Sequence, residues 1–399
     1  MTGTETESAN RKGPNGAASD GVAGPADFDL AGMVRVRVVG DDAQIALVGR
    51  QLGLPRTDPA GEPDLTVHFT DDVVRGEPLR YLGLDEAGFT DSRFFQMRAK
   101  AKARAMVHLP FHDIGKGMVI SCEPNLPAVP LLIPLLAVTA LDRGLVPLHA
   151  GAIQWHGAGI VFTGWSKSGK TETLISTTAA GADYVGDEWC YLDPARSMVV
   201  GIPEPVTLWS WHLRRFPSLR EQIPALTRQR MRLLETPDRV ERMLPNGVQR
   251  SGAGRLLRRV AYQTRSRANA WIPPEQLFGV TDARAVPFEH VVWTVSTESA
   301  EVRLSPLPAA EVADRMIHSV YYELSPLLDA YRMFRFAFPD RRSELLDNLE
   351  EHLTVALHKA LDDVRGWVLE HPYELDLGRL ADALSPVVDG SGPSGEDRA

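Results

Sequence analysis

Gly159-Ile160-Val161-Phe162-Thr163-Gly164-Trp165-Ser166-Lys167-Ser168-Gly169-Lys170-Thr171 is the stretch on which the reading of this chain turns. Its first five residues are a short, largely apolar run, as a buried strand requires. The next eight fit GxxxxGK[ST] at every fixed position. Residues 171–180 continue in a helical pattern that Gly181 ends. Strand, glycine loop and helix in that order give the pattern its chemical meaning. Backbone N–H groups of such a loop turn inward at a helix N-terminus and form an anion nest. Gly164, Trp165, Ser166, Lys167, Ser168, Gly169, Lys170 and Thr171 would then cradle the phosphates of a nucleoside triphosphate. Lys170 would reach the β- and γ-phosphates, and the Thr171 hydroxyl would ligate Mg²⁺. The bland alternative is an ordinary turn.

Asp183-Tyr184-Val185-Gly186-Asp187-Glu188 follows at once, with Asp187 seventeen residues past Lys170. A helix of about ten residues, rising about 1.5 Å per residue, carries the chain to the far edge of a sheet. A short strand over 182–186 then returns it. Asp187 and Glu188 therefore arrive at the edge that holds the glycine loop, where strand ends meet ligands. Paired carboxylates there suit Mg²⁺ coordination and a base for phosphoryl transfer. An Asp-Glu pair in a plain turn is the competing reading. The chain carries neither NKxD nor LSGGQ, which argues against a GTPase or a transporter ATPase.

Outward from this centre, Leu126 to Leu141 is the longest apolar run. It has sixteen residues and includes Pro127, Pro130 and Pro134. That is too short and broken to span a bilayer, and a buried helix over 130–142 is expected instead. Strands are expected near 149–155 and 159–163, with two more within 287–305. Upstream, residues 33–39 (MVRVRVV) and 64–69 (DLTVHF) alternate apolar and polar side chains, the period of half-buried strands. Val119, Ile120 and Cys122 suggest another strand beyond the basic segment 98–104. From Ala309 on, helical stretches are expected near 309–323, 326–336, 341–370 and 376–384.

Residues 212–268 hold fourteen Arg, no Lys and four acidic residues, about +10 in a chain of net charge −9. One reading is a solvated helical face paired with acidic residues elsewhere. The other is a clamp for a triphosphate or for an acidic protein partner, since arginine suits bidentate contacts. Nucleic acid fits less well because aromatic platforms are sparse there.

The stretch VPLHAGAIQWHGAGIVFTGWSKSGKTETLISTTAAGADYVGDEWCYL, residues 146–192, resembles the catalytic core of the HPr kinase/phosphorylase family. That fold is related to ATP-dependent phosphoenolpyruvate carboxykinase. In the family a histidine strand precedes the loop by about fifteen residues, as His149 precedes Gly164. A GKSE-type helix start corresponds to Gly169-Lys170-Thr171-Glu172, and an acidic pair closing the next strand corresponds to Asp187-Glu188. The resemblance implies that Asp187 takes the proton from a protein hydroxyl. It also implies that Glu188 supports Mg²⁺, that Glu172 belongs to the nucleotide site, and that His149 polarises or neutralises the carboxylate cluster. Trp165 and Lys167 replace an acidic residue and a glycine of the usual family loop, and Glu188 replaces the second Asp. The family's later glycine-rich docking signature has no good counterpart at 247–254. These departures point away from HPr as substrate and toward kinase-like relatives that modify other proteins or peptides.

The expected architecture is α/β: a P-loop core of the HPr kinase/phosphoenolpyruvate-carboxykinase type, a small N-terminal α/β domain and a helical C-terminal region. Its divisions are a disordered leader 1–28, an N-terminal unit 29–123, and a core 124–308 with the Arg-rich insert 212–268. C-terminal helices 309–388 and a disordered tail 389–399 complete it. The expected function is an ATP- and Mg²⁺-dependent kinase acting on a Ser or Thr hydroxyl of a protein or peptide, which docks on the Arg-rich insert. An arginine of that insert is expected to neutralise the transferring phosphoryl group. A non-kinase P-loop ATPase or a nucleotide-gated scaffold is the alternative. No nucleic acid or membrane partner is expected, the leader shows no signal-peptide core, and the two cysteines Cys122 and Cys190 fit a cytoplasmic chain. Self-association through the N-terminal unit stays open. Cys190, Trp155, His156 and the Trp209, Trp211, His212 cluster read as packing residues. Tyr321, Tyr322, Tyr331, Phe334, Phe336 and Phe338 read as one core-facing stripe.

Overall fold

The computed structural model describes residues 24–84, 86–98, 104–245, 251–265, 267–280, 283–372 and 378–388. Two nine-stranded mixed sheets, flanked by helices, make the chain a mixed α/β protein.

The first sheet contains β1 (Ala26–Leu30), β2 (Val34–Val39), β3 (Arg56–Thr57), β4 (Leu65–Phe69) and β5 (Arg80–Leu82). It continues with β6 (Ala87–Phe89), β7 (Phe94–Arg98), β8 (Arg104–His108) and β9 (Met118–Cys122). The spatial order is β3-β1-β2-β4-β9-β8-β7-β6-β5. Strand β1 corrects the expected leader, because folded structure starts at Ala26 rather than after residue 28. Ala26, Phe28 and Leu30 are all buried, and the alternation in ADFDL is the period-2 pattern of a strand with one core face. Residues 1–23 and the expected tail 389–399 lie outside the described residues.

Helix α1 (Asp42–Leu52) starts in a capping box, with the Asp41 carboxylate accepting from Gln44 N and the Gln44 side chain accepting from Asp41 N. Helix α2 (Leu132–Asp142) is the apolar run near residue 130. It is buried on nearly every side because it packs against β2, α1 and the second sheet. Among the described residues no helix is long and apolar enough to cross a membrane. One continuous core cluster runs from Ala26 through α2 to Leu361, so the two sheets share their hydrophobic interior.

The second sheet is built from β10 (Val146–Trp155), β11 (Ala158–Thr163), β12 (Asp183–Gly186), β13 (Trp189–Asp193) and β14 (Met198–Gly201). Its other strands are β17 (Arg284–Pro287), β18 (His290–Thr297), β19 (Arg303–Pro306) and β20 (Arg365–Pro372). The order is β17-β14-β13-β10-β11-β18-β20-β19, with β12 also paired to β10. Strands β11, β18 and β20 run parallel, and β10 is antiparallel to β11. Strand β10 is buried along almost its whole length, as a strand covered on both faces must be. A register shift between Ala152 and Ile153 lets it pair with β13 at one end and β12 at the other. Between Gly201 and Arg284 a two-stranded ribbon, β15 (Val206–Trp209) and β16 (Asn269–Ile272), brackets the Arg-rich insert.

The helical reading of 309–388 holds for α9 (Ala309–Glu323), α10 (Ser325–Ala337), α12 (Leu349–Leu361) and α13 (Gly378–Val388), with α11 (Glu344–Asp347) a short turn between them. It fails for the end of the expected helix 341–370. Residues 365–372 form β20, which pairs with β18 over eight residues. Trp367, Leu369 and His371 alternate inward, and Gly366 leaves room for the Leu307 carbonyl, which would lie 2.3 Å from an added Cβ. Of the expected aromatic stripe, Tyr331 and Phe334 are buried and Tyr321 and Phe338 pack on the core. Tyr322 and Phe336 face outward instead.

Candidate functional site

Strand β11 delivers Thr163 to the loop, and two glycines make the loop's path possible. Gly164 has φ +153°, and a Cβ there would meet Ser168 Oγ at 2.5 Å and the Thr294 carbonyl at 2.6 Å. Gly169 has φ +98°, and its Cβ would meet His371 Nε2 at 2.4 Å. Only glycine fits both backbone and space at these two positions.

The loop is fastened from three directions. Ser168 Oγ and Thr294 Oγ1 are 2.9 Å apart, and Thr294 donates to the Thr163 carbonyl at 3.1 Å. Ser319 on α9 donates to the Gly164 carbonyl at 3.2 Å. His371 Nε2 lies 2.8 Å from the Ser168 carbonyl oxygen. Helix α3 (Lys170–Ala179) leaves the loop, and its buried Lys170 ammonium donates to the Gly164 and Trp165 carbonyls at 3.2 and 3.0 Å. Burial pulls the Lys170 pKa down, against the opposing charges of Glu188, Asp187 and Glu323. Ser166 is half-buried and Lys167 exposed, the latter at φ +66°, an uncommon backbone region for a non-glycine residue. Trp165 is 50% exposed and packs against Tyr322, the rings tilted by 33° with 4.8 Å between their centres.

Strand β12 returns the chain to the same edge and leaves Asp187 2% exposed. Thr171 Oγ1 donates to its carboxylate at 3.1 Å. Burial pushes the Asp187 carboxyl up to about 7, the Glu188 charge adds to this, and a backbone N–H and the Thr171 hydroxyl act in the other direction. Glu188 sits at φ +65°, and its neighbour Trp189 donates back to the Asp187 carbonyl at 2.8 Å. Strained backbone of this kind persists where the surroundings over-determine it.

His149, on β10, joins two carboxylates. Its Nε2 is 3.2 Å from Glu188 Oε2. Its Nδ1 is 3.1 Å from Glu323 Oε1, an ion contact whose angle falls outside hydrogen-bond geometry. Burial opposes charge on this ring, but Glu188 and Glu323 together raise its pKa above the usual value. The Glu323 carboxyl is correspondingly lowered: burial raises it, and His149 and Lys170 outweigh that.

Glu172, in the first turn of α3, faces His212 Nε2 at 3.5 Å. His212 Nδ1 accepts from the Trp209 N–H at 2.9 Å, so the ring proton belongs on Nε2 and points to Glu172. Burial raises the Glu172 carboxyl, and His212 more than cancels this, leaving it lowered.

The sequence-named residues therefore converge: 164–172, Asp187, Glu188 and His149 share one sheet edge. The metal set Thr171, Asp187 and Glu188 meets only in part, since Thr171 reaches Asp187 whereas Glu188 engages His149. Among the described residues no group of three or more His, Cys, Asp or Glu could hold a metal ion by itself. The Thr171–Asp187 oxygens still suit Mg²⁺, which takes one or two protein oxygens and completes its shell with water and phosphate. The insert reaches this edge through His212. Cys190 behaves as a packing residue: it is buried, its Sγ donates to the Ala150 carbonyl at 3.4 Å, and burial pushes its thiol pKa well up.

Sequence reasoning missed Glu323, Thr294, Ser319 and His371. Each is a common residue type on an element distant in sequence, without a local motif. The inward alternation of Trp367, Leu369 and His371 was the one signal available for His371. No protein-family model matches the chain, and no curated protein matches it.

Proposed function

We propose that this chain is an ATP- and Mg²⁺-dependent phosphotransferase, resembling HPr kinase, that moves the γ-phosphoryl group to a Ser or Thr hydroxyl of a protein or peptide. The observation that carries the reading is the Thr171 hydroxyl on the buried Asp187 carboxylate, at the end of a glycine loop whose lysine is buried beside them. Phosphoryl transfer asks mainly for positioning and charge neutralisation, and this edge offers both.

The loop N–H groups and Lys170 would bind the phosphates. Thr171 and Asp187, with Glu188 alongside, would hold Mg²⁺, which would supply charge neutralisation to the phosphates. Asp187 would accept the acceptor hydroxyl's proton as that oxygen bonds to the γ-phosphorus. The bond to the bridging oxygen breaks, and ADP leaves with its electron pair. His149 and Glu323 would fix the Glu188 carboxylate. The exposed Trp165–Tyr322 pair offers an apolar face beside the loop.

Binding of a fluorescent ATP analogue with Mg²⁺, compared between wild type and Lys170→Ala, tests the first half of this reading. Saturable binding that the substitution weakens about a hundredfold is the expected outcome, in line with loss of a buried charge-assisted contact. Absence of nucleotide binding by folded wild type would remove it.

A further inference from the structure

The Arg-rich insert folds into α4 (Ser210–Arg215), α5 (Pro217–Gln222), α6 (Ala225–Met243) and α7 (Gly252–Arg265). Two adjoining cavities of about 680 and 500 Å³ lie along α6, and Arg220, Arg228 and Arg232 line both. Arg214 and Arg239 also line the smaller one.

The charge on this wall is not cancelled locally. Of the two carboxylates on it, Glu235 is already shared by Ser210, by Arg214 at 2.6 Å and by Arg239 at 3.2 Å, and Glu221 still leaves five arginines against two acids. Arg228 donates to the Arg220 carbonyl at 2.6 Å, which leaves its charge unmatched. Among the described residues, none of Arg220, Arg228 and Arg232 has a carboxylate within ion-pair distance.

A second feature adjoins the first. Leu226, Leu233 and Val240 recur every seven residues on α6 and are 81%, 66% and 42% exposed. At 100° per residue this apolar stripe is centred about 120° around the helix from the arginine row of 228, 232 and 239, with Ala225 and Gln229 between them. Arginines and an apolar stripe about a third of a turn apart on one helix complement a segment that carries both acidic and apolar residues. Among the described residues no aromatic side chain lines either cavity, so these residues offer no base-stacking platform for single-stranded nucleic acid.

We infer that this groove docks an acidic, amphipathic segment of a protein or peptide. That this partner carries the phosphate acceptor rests on the function proposed above; the docking itself does not. The groove is tied to the glycine-loop helix: Glu235 binds Ser210 and Arg214 on α4, and His212 between them reaches Glu172 on α3. Helix α4, which lines the smaller cavity, thus also touches the first turn of α3.

Fluorescence anisotropy on the full chain tests the assignment. The probe is a short labelled peptide with glutamates and leucines on adjoining helical faces, compared with its glutamine counterpart and with a labelled single-stranded oligonucleotide. The glutamate peptide should bind, and weaken about tenfold or more with the glutamine peptide, with added salt, and in Arg228→Glu/Arg232→Glu. Binding of the fluorescent ATP analogue should be unchanged in that variant. Where the charge reversal fails to give a native melting curve, Arg228→Gln/Arg232→Gln serves, with a smaller loss expected. Equal peptide binding by wild type and variant would overturn the inference, as would tighter binding of the oligonucleotide. If wild type takes the peptide but no nucleotide, the phosphotransferase reading falls and the groove assignment stands.

Discussion

His371 Nε2 stands 2.8 Å from the Ser168 carbonyl oxygen, joining the last strand of the second sheet to the glycine loop 203 residues earlier. The same nitrogen would lie 2.4 Å from any Cβ added at Gly169. Gly169→Ala should therefore strain the backbone at φ +98° and displace the imidazole together. A loss of about 1–3 kcal/mol in stability is expected, with nucleotide affinity falling more than the melting temperature suggests. Calorimetry and analogue binding on one preparation check both. His371→Ala should spare the melting curve more than Gly169→Ala while still weakening nucleotide binding.

Glu323 acts on the site through His149. Glu323→Leu removes one of the two carboxylates that hold the imidazole. Transfer activity should drop about tenfold or more, with the KM for ATP changed less, because the close contact of Glu323 is with His149 and not with the loop. Glu323→Gln, which keeps an acceptor at the same reach, should recover part of the loss. Equal KM and kcat effects in both variants would assign Glu323 a packing role only.

His290 gives the fold a pH dependence separate from the site. Its Nδ1 accepts from Trp367 Nε1 at 3.2 Å, so the native ring is neutral. Burial, helped by Arg365, lowers its pKa to about 4. The unfolded ring has a pKa of about 6.5, so between these values the unfolded chain binds a proton that the native state does not. Stability from this group is full above about pH 6.5 and declines as pH falls toward 4. Wild type should lose on the order of 1 kcal/mol more than His290→Asn between about pH 7.5 and 5. Paired denaturant titrations at the two pH values measure that difference.

Glu172 and His212 couple the loop helix to the insert. His212→Phe should leave Glu172 buried without its donor, at a cost of about 1–3 kcal/mol. Glu172→Gln, which buries no charge, should cost less. A double-mutant cycle on melting free energies should return a clear interaction energy, and an additive result would mean the contact is incidental.

The site's centre was legible because its requirements are local. The loop needs glycine at 164 and 169 for backbone reasons and lysine at 170 for charge, and helix rise plus strand return fix where Asp187 arrives. What was not legible comes from distant elements. Glu323 closes a helix, Thr294 sits in a strand, and His371 lies on β20, where the periodicity of α12 invited a longer helix. At the other end, ADFDL sits beside a polar stretch that masked its alternation. The short strands β5 and β6, three residues each, carry too few residues for a period to register. In the insert, Arg214 and Arg239 pair with Glu235 and Arg258 with Glu241, while Arg220, Arg228 and Arg232 line the two cavities, a division that no local sequence pattern announces.

Transfer of label from γ-labelled ATP with Mg²⁺ tests the central claim most directly. Purified chain, incubated with an extract of its own cells, should place label on Ser or Thr of a protein or peptide. Asp187→Asn should bind nucleotide yet transfer about a hundredfold or more slowly. Release of free phosphate alone, or transfer undiminished in Asp187→Asn, would contradict the account.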